Sequence, residues 1–193
     1  MANRDAFWRT RISEVRPNEV RVRGYDLMEL IGSRSFGDVV FLLLSGDLPK
    51  GDEGRMMEAL LVSCAEHSVL APSVDAARFV ASAGVPLQAA VASGMIALGD
   101  RHGGAVEDAV AAVFGRPLRM NIDGAMAALL LELGLDPGLG RALYVIGRAP
   151  GLVAHVYEEQ TRERPYRDVG WRNVTYAGPD PRPVPPIEDE PDA

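Results

Sequence analysis

The order of apolar and polar positions predicts a mostly α-helical protein that begins with a small β-hairpin. Residues 12–15 and 19–25 are strand-like and flank Pro17-Asn18, a dipeptide typical of turns. From residue 26 onward, apolar residues recur at helical spacing. This spacing predicts helices over 27–31, 36–45, 53–65, 74–83 and 86–98, one beginning near Asp123, and a last one after Asp136-Pro137.

Residues at the predicted helix ends refine these bounds. Ser73 is predicted to cap the helix over 74–83, and Pro86 suits the first turn of the next helix. Pro150-Gly151 is expected to kink or split the last helix, because proline removes one backbone hydrogen bond and clashes with the preceding turn. With roughly seven or eight helices and no alternation of strands and helices, the fold class is predicted to be all-α.

Length and composition predict one globular domain with a tail. The 193 residues are 47% hydrophobic, and the helical pattern extends over 1–165. Residues 166–193 lose this periodicity and are rich in proline and acidic residues, so we expect a mostly disordered tail. Five acidic residues and one arginine in 179–193 account for −4 of the net charge of −7, which leaves −3 for the rest. This charge gives no reason to expect nucleic-acid binding.

Several other classes of protein are disfavoured. The single Cys64 excludes a disulfide framework, and the three histidines lack the spacing of metal ligands, so no metal site is predicted. No phosphate-binding glycine motif is present. Since no secretory signal or long apolar segment is seen, we expect a soluble cytoplasmic protein without a membrane partner.

Two residues have the chemistry of an enolising pair. His102 precedes two glycines at a predicted helix entrance, where the helix dipole favours a neutral ring that donates to a developing oxyanion. Asp123 lies at the start of another helix, where it either caps the helix or acts as a general base. The alternative for His102 is a surface histidine in a loop.

Four further residues are candidates for binding or for structure. Arg148 lies in an apolar helix and needs an anionic partner, either a protein carboxylate or a ligand. His67 follows a helix end, where it either compensates the helix dipole or is buried. Arg164 is one of four arginines in 162–172 and is also explained by a solvated basic loop. His155 is typical of a structural or surface position on a helix.

Taken together, six segments resemble the citrate synthase family, in particular its short citryl-CoA lyase-like branch. They occur in family order over most of 8–165 and read RGYDLMELIG (23–32), FGDVVFLLLSGDLP (36–49), AEHSVLAPSVDAAR (65–78), GDRHGGAVE (99–107), NIDGAMAALLLELG (121–134) and GRAPGLVAHVYEE (147–159). The resemblance implies an all-helical homodimer that acts on a coenzyme A thioester and has no permanently bound cofactor.

The resemblance also implies a role for each candidate. His102 matches the family histidine that holds the acetyl-CoA thioester oxygen, and Asp123 matches the aspartate that takes the methyl proton. His67 matches a histidine that contacts oxaloacetate or citrate, and Arg148 matches an arginine that binds a substrate carboxylate. Arg164 matches an arginine that reaches the active site of the neighbouring subunit.

The chain departs from the family between His102 and Asp123. Family members carry a longer stretch there, with a Gly-His segment followed by Asp-Pro-Arg, whose histidine polarises the keto group of oxaloacetate. Here only 21 positions separate the two residues, and 108–120 replaces most of that small-domain portion. Asp180-Pro181-Arg182 is no substitute, since it lies in the tail without a preceding Gly-His.

Two functions follow from this pattern. The first is an enzyme that makes or cleaves the carbon–carbon bond between acetyl-CoA and oxaloacetate, as citrate synthase and citryl-CoA lyase do. Its partners are acetyl-CoA or citryl-CoA and oxaloacetate or citrate. The alternative is a shortened, non-catalytic scaffold that binds carboxylates or pairs with a longer paralogue.

Overall fold

The computed structural model describes residues 7–100, 102 and 122–184. Within this part the chain forms three short antiparallel strands followed by seven α-helices, which confirms the predicted fold class. The strands are β1 (Ser13–Arg16), β2 (Glu19–Val22) and β3 (Tyr25–Asp26). The helices are α1 (Leu27–Leu30), α2 (Phe36–Ser45), α3 (Glu53–Cys64), α4 (Pro72–Ser82), α5 (Leu87–Ile96), α6 (Ile122–Glu132) and α7 (Gly140–Arg162). None of the described helices is long and apolar enough to cross a membrane.

The hairpin and the first helices follow the sequence closely. β1 pairs with β2 as predicted, but the segment 19–25, predicted as one strand, is divided by a turn at Arg23-Gly24 into β2 and β3. The predicted helix over 36–45 is α2, which begins with a reciprocal capping box between Ser35 and Asp38. It ends at Gly46, whose φ of 101° is in the left-handed region that glycine adopts without strain.

The predicted cap at Ser73 and the predicted split at Pro150 are wrong. Ser73 does not cap α4, because the helix already begins at Pro72, whose fixed φ suits the first helical position. Ser73 therefore lies inside the helix and is fully buried. Pro150 does not split α7, which continues from Gly140 to Arg162. Buried residues on both sides of the proline, including Leu143 and Leu152, hold the two halves in one helix through tertiary packing.

The long helix α7 is shared by both hydrophobic clusters of the described core. Its first half packs with α2, α3 and α6 through Leu143 and Tyr144. Its second half packs with α4 and α5 through Leu152 and Val156. Glycines permit close approach: a Cβ at Gly94 in α5 would lie 2.8 Å from the Ser73 carbonyl oxygen. This packing fixes α4 beside α7, which determines the geometry of the candidate site.

The segment after α7 is irregular except for a short 3-10 turn at Trp171–Asn173. Its start is attached to α7, because Arg167 Nη2 donates to Glu159 Oε2 at 2.6 Å. The division of the chain at residue 165 stays a prediction. The replaced portion at 108–120 lies outside the described residues.

Candidate active site

His102 is held next to α4 by its backbone and its ring. An antiparallel bridge pairs it with Gly99, with backbone nitrogen to oxygen distances of 2.8 and 2.9 Å. The ring Nε2 lies 2.9 Å from the hydroxyl oxygen of the buried Ser73. This contact explains why a serine lies inside α4, where the sequence alone indicated a cap. The two glycines after His102 and the helix predicted there lie outside the described residues.

Tyr144 joins His102 to Arg148. Its ring is edge-on to the imidazole of His102, with 6.4 Å between ring centroids and a 74° angle between planes. The Arg148 guanidinium carbon lies 5.1 Å from the centroid of the same tyrosine ring. Tyr144 and Arg148 are one helical turn apart, so α7 presents both to the same region. The structure therefore brings together two predicted site residues that are 46 positions apart in the sequence.

Arg148 is a buried cation with one guanidinium nitrogen that has no hydrogen-bond partner. It is 1% exposed, its Nε donates to the Cys64 carbonyl oxygen at 2.7 Å, and its Nη2 donates to the Tyr144 hydroxyl at 3.0 Å. Its Nη1 has no hydrogen-bond partner, and no carboxylate in the described part of the chain pairs with the guanidinium. A buried charge without an anion is unfavourable, so these contacts suit an anionic ligand.

His67 lies on the loop that starts at the Cys64 carbonyl. The side chain is exposed, so the alternative of a buried histidine is wrong. The preceding Glu66 accepts hydrogen bonds from His155 and from the Ser68 backbone. Partial burial raises the pKa of Glu66, but these hydrogen bonds outweigh it, and the pKa lies below its usual value. The loop is thus attached to α7 on either side of Ala65.

Among the described side chains, no contact joins Arg148 to Asp123 or to Arg164. Asp123 lies in the first turn of α6, and its side chain lies outside the described part of the structure. Arg164 is exposed, two residues beyond the end of α7, at a groove of about 270 Å³ that also includes Glu163. The axis of α7 rises about 21 Å between Arg148 and Arg162 at 1.5 Å per residue.

The structure adds residues that the sequence did not single out. Ser73 and Tyr144 contact His102.

A separate group of charged residues fixes α4 to α7: Arg78 Nε lies 2.7 Å from Glu159 Oε2, and its Nη1 lies 2.9 Å from Glu158 Oε2. The hydrogen bond from Arg167 to Glu159 raises the pKa of Arg167. The signal in the sequence was the presence of Arg78 and Glu159 on otherwise apolar helix faces.

Comparisons with known proteins agree with this architecture. A family model described as citrate synthase, C-terminal domain, matches residues 51–115. A solved structure of citryl-CoA lyase from Hydrogenobacter thermophilus is similar to the chain at 34% identity and a TM-score of 0.84. That match covers 93% of this chain and 98% of the other. No curated protein sequence gives a significant match.

Two solved ATP citrate lyases share the fold at lower identity. One, from Methanosaeta concilii, is in complex with (3S)-citryl-CoA and matches at 15% identity and a TM-score of 0.77. The other, from Methanothrix soehngenii, is in complex with citrate and coenzyme A and matches at 16% identity and a TM-score of 0.78. Each match covers 93% of this chain but 43% of the longer one.

The fold is mostly α-helical with a small N-terminal sheet, and the buried Arg148 shares the ring of Tyr144 with His102. The chain belongs to the citrate synthase family and is citryl-CoA lyase-like. Family membership supports chemistry at the carbon–carbon bond of a citryl-CoA type substrate.

Proposed function

We propose that this protein cleaves citryl-CoA into acetyl-CoA and oxaloacetate. The observation that carries the proposal is the buried Arg148, whose Nη1 has no hydrogen-bond partner. Its guanidinium contacts the ring of Tyr144, and the same ring contacts His102. A guanidinium with a spare donor suits a substrate carboxylate, and a histidine near it suits the reacting carbonyl. The 34% identity to a citryl-CoA lyase supports the choice of substrate and direction.

Each residue has one task in this reaction. Arg148 binds a carboxylate of the citryl group, and His67 contacts the same group from the neighbouring loop. His102 donates a hydrogen bond to the thioester oxygen as negative charge develops there, while Ser73 orients its ring. Asp123, in its protonated form, delivers a proton to the carbon that becomes the acetyl methyl group.

The hydroxyl proton of citryl-CoA passes to solvent water as its carbon–oxygen bond becomes the keto group of oxaloacetate, and Asp123 takes a proton back from solvent after each turnover. The adjacent carbon–carbon bond breaks, and its electron pair forms the enolate of acetyl-CoA. The enolate then takes the proton from Asp123. Coenzyme A enters and leaves as part of the thioester, so no permanently bound cofactor is needed.

Removal of the hydroxyl proton is the step that the residues of this site support least. The family histidine that activates the keto group belongs to a Gly-His segment, and no Gly-His dipeptide occurs in this chain. Loss of one preorganised hydrogen-bond group at an oxyanion lowers kcat by about 10²–10³. We therefore expect slow cleavage relative to enzymes that retain this segment.

A second copy of the chain completes the proposed site. Arg164 lies beyond the end of α7, and the rise of about 21 Å along that helix separates it from Arg148 of its own chain. An arginine two residues beyond the far end of α7 is well placed to contact a substrate in the site of a second subunit. This separation supports a homodimer in which each Arg164 serves the partner's site.

The test is a citryl-CoA cleavage assay that detects oxaloacetate, run on protein whose oligomeric state has been measured. The Asp123→Asn variant should lose about 10²–10⁴ in kcat, because the proton donor is removed. Asp52→Asn is the matched control, since Asp52 is exposed and pairs only with Arg55 among the described side chains. Unchanged activity of Asp123→Asn would overturn the assigned mechanism. No cleavage by the wild-type dimer would favour the non-catalytic scaffold instead.

A further inference from the structure

One face of α7 contacts the loop that carries His67 at three successive points. Arg148, Gly151 and His155 are spaced i, i+3 and i+7, so they lie on the same side of the helix. Opposite them run residues 64–68. Arg148 Nε binds the Cys64 carbonyl at 2.7 Å, and His155 Nε2 lies 2.9 Å from Glu66 Oε1. The two contacts lie on either side of Ala65.

Gly151 makes the middle contact possible. A Cβ at this position would overlap with the Ala65 carbonyl oxygen and with Glu66 Oε2. The helix backbone and the loop are therefore closer than any side chain permits. This close approach is independent of the two hydrogen bonds and shows that the loop has a defined position against α7.

The loop itself is tight around His67. Glu66 Oε1 accepts from the Ser68 backbone N–H as well as from His155. This oxygen therefore links Glu66 and Ser68, the two neighbours of His67, to each other and to α7. Ser68 has a φ of +60°, in the left-handed region that non-glycine residues seldom adopt. Such a conformation persists only where the surroundings determine it. The Glu66 carboxylate supplies that constraint.

The direction of the His155 hydrogen bond is set from its other side. His155 Nδ1 lies 3.3 Å from Arg78 Nη1 and 4.0 Å from Glu158 Oε2. A guanidinium only donates, so Nδ1 accepts from Arg78 and the ring proton lies on Nε2, facing Glu66. Arg78 is fixed in turn by Glu158 and Glu159. The charged groups around His155 are thus Glu66 from the loop, Arg78 from α4 and Glu158 from α7.

We propose that His155 is a positioning residue, which holds the 64–68 loop through Glu66 so that His67 meets the substrate carboxylate. The proposal rests on the proposed function, because it needs His67 to bind substrate. His155 does not itself contact substrate in this scheme. If His155 only supported the ion pairs of Arg78 with Glu158 and Glu159, its loss would lower stability and leave substrate affinity unchanged.

Two substitutions at position 155 separate these roles. His155→Leu retains bulk and removes both ring nitrogens. His155→Gln retains one acceptor and one donor on a side chain of similar reach. We expect His155→Leu to raise KM for citryl-CoA about 10-fold, with kcat within about 2-fold, the effect of losing one hydrogen bond to a charged group. His155→Gln should restore most of the affinity.

Amide hydrogen exchange measures the loop without relying on activity. In His155→Leu, amides of 65–70 should exchange faster, and in His155→Gln they should stay near wild type. Glu66→Ala serves as a second variant, since Glu66 is half-exposed and its loss leaves the core intact. It should give the same changes, and the double variant should be no worse than either single variant. Glu29→Ala, at an exposed glutamate of α1, is the control.

The outcomes distinguish the two proposals. Faster exchange in the loop together with a raised KM supports the positioning role. Unchanged exchange in both variants overturns it, and so does a lowered melting temperature with KM at the wild-type value. If the wild-type protein cleaves no citryl-CoA, the proposed function fails, and the exchange data alone then show whether His155 holds the loop.

Discussion

The ring of His102 and the hydroxyl of Ser73 form a 2.9 Å contact that joins the turn at residues 99–102 to the first turn of α4. Ser73 is fully buried and cannot exchange this partner for solvent. The contact restrains the orientation of the imidazole, and the serine hydroxyl can serve either tautomer because it both donates and accepts. In the proposed reaction, that orientation is what aims His102 at the thioester oxygen.

We therefore expect Ser73→Ala to lower kcat about 10-fold without a comparable change in KM, since loss of one hydrogen bond affects the orientation of the ring in the transition state. Steady-state kinetics of citryl-CoA cleavage would measure it. The control is Ser82→Ala, because Ser82 lies in the same helix and its hydroxyl donates to the Phe79 carbonyl at 2.7 Å. A kcat equal to that of the control would contradict the role of Ser73.

Arg148→Met should remove the carboxylate-binding charge while keeping the helix packed. Its substrate affinity should fall about 10- to 100-fold, because a hydrogen bond to a charged group contributes about 1.5–3 kcal/mol. Citrate should raise the melting temperature of the wild type and leave that of Arg148→Met unchanged. Arg55→Met, at an exposed arginine of α3, is the control. Equal stabilisation of both variants by citrate would refute a carboxylate site at Arg148.

Arg78→Leu should destabilise the fold by about 3 kcal/mol, because it deprives the buried Glu159 carboxylate of one of its two cationic partners. Urea unfolding followed by circular dichroism would measure the loss. Replacing both Arg78 and Glu159 by leucine should recover much of it, since no buried charge is then left with an incomplete set of partners. A loss below about 0.5 kcal/mol, as expected for the exposed Arg55→Leu, would contradict this account.

Glu66 makes stability depend on acidic pH in a defined direction. Because folding lowers its pKa, the folded chain binds this proton less readily than the unfolded chain. Its contribution to stability is complete above the usual carboxyl pKa of 4.5 and disappears as pH falls through the lower, folded value. The stability difference between wild type and Glu66→Gln should therefore shrink between about pH 6 and about pH 3. A constant difference would show that the hydrogen bonds from His155 and Ser68 do not favour the ionised form.

Local rules predicted most of the helices, and they were wrong where two rules competed. Ser73 and Pro72 both mark the start of a helix, and the proline took the first position because its fixed φ already matches the helix. Pro150 breaks a helix in isolation, yet α7 continues because it packs against two hydrophobic clusters. The division of 19–25 into two strands was missed because the positive φ angles of Arg23 and Gly24, which make the turn, do not alter the pattern of apolar residues.

Periodicity and motifs are local properties of the chain, and they were enough to predict the helical fold, the family resemblance and the candidate residues. The sequence predicted that Arg148 needs an anionic partner. It did not predict that Arg148 donates hydrogen bonds to Cys64 and Tyr144 while Nη1 stays without a partner. Only tertiary packing decided that Ser73 reaches His102 and that His155 reaches Glu66, 89 positions away. Such contacts depend on how α4 and the loop at 64–68 pack on α7, and no pattern within one helix encodes that arrangement.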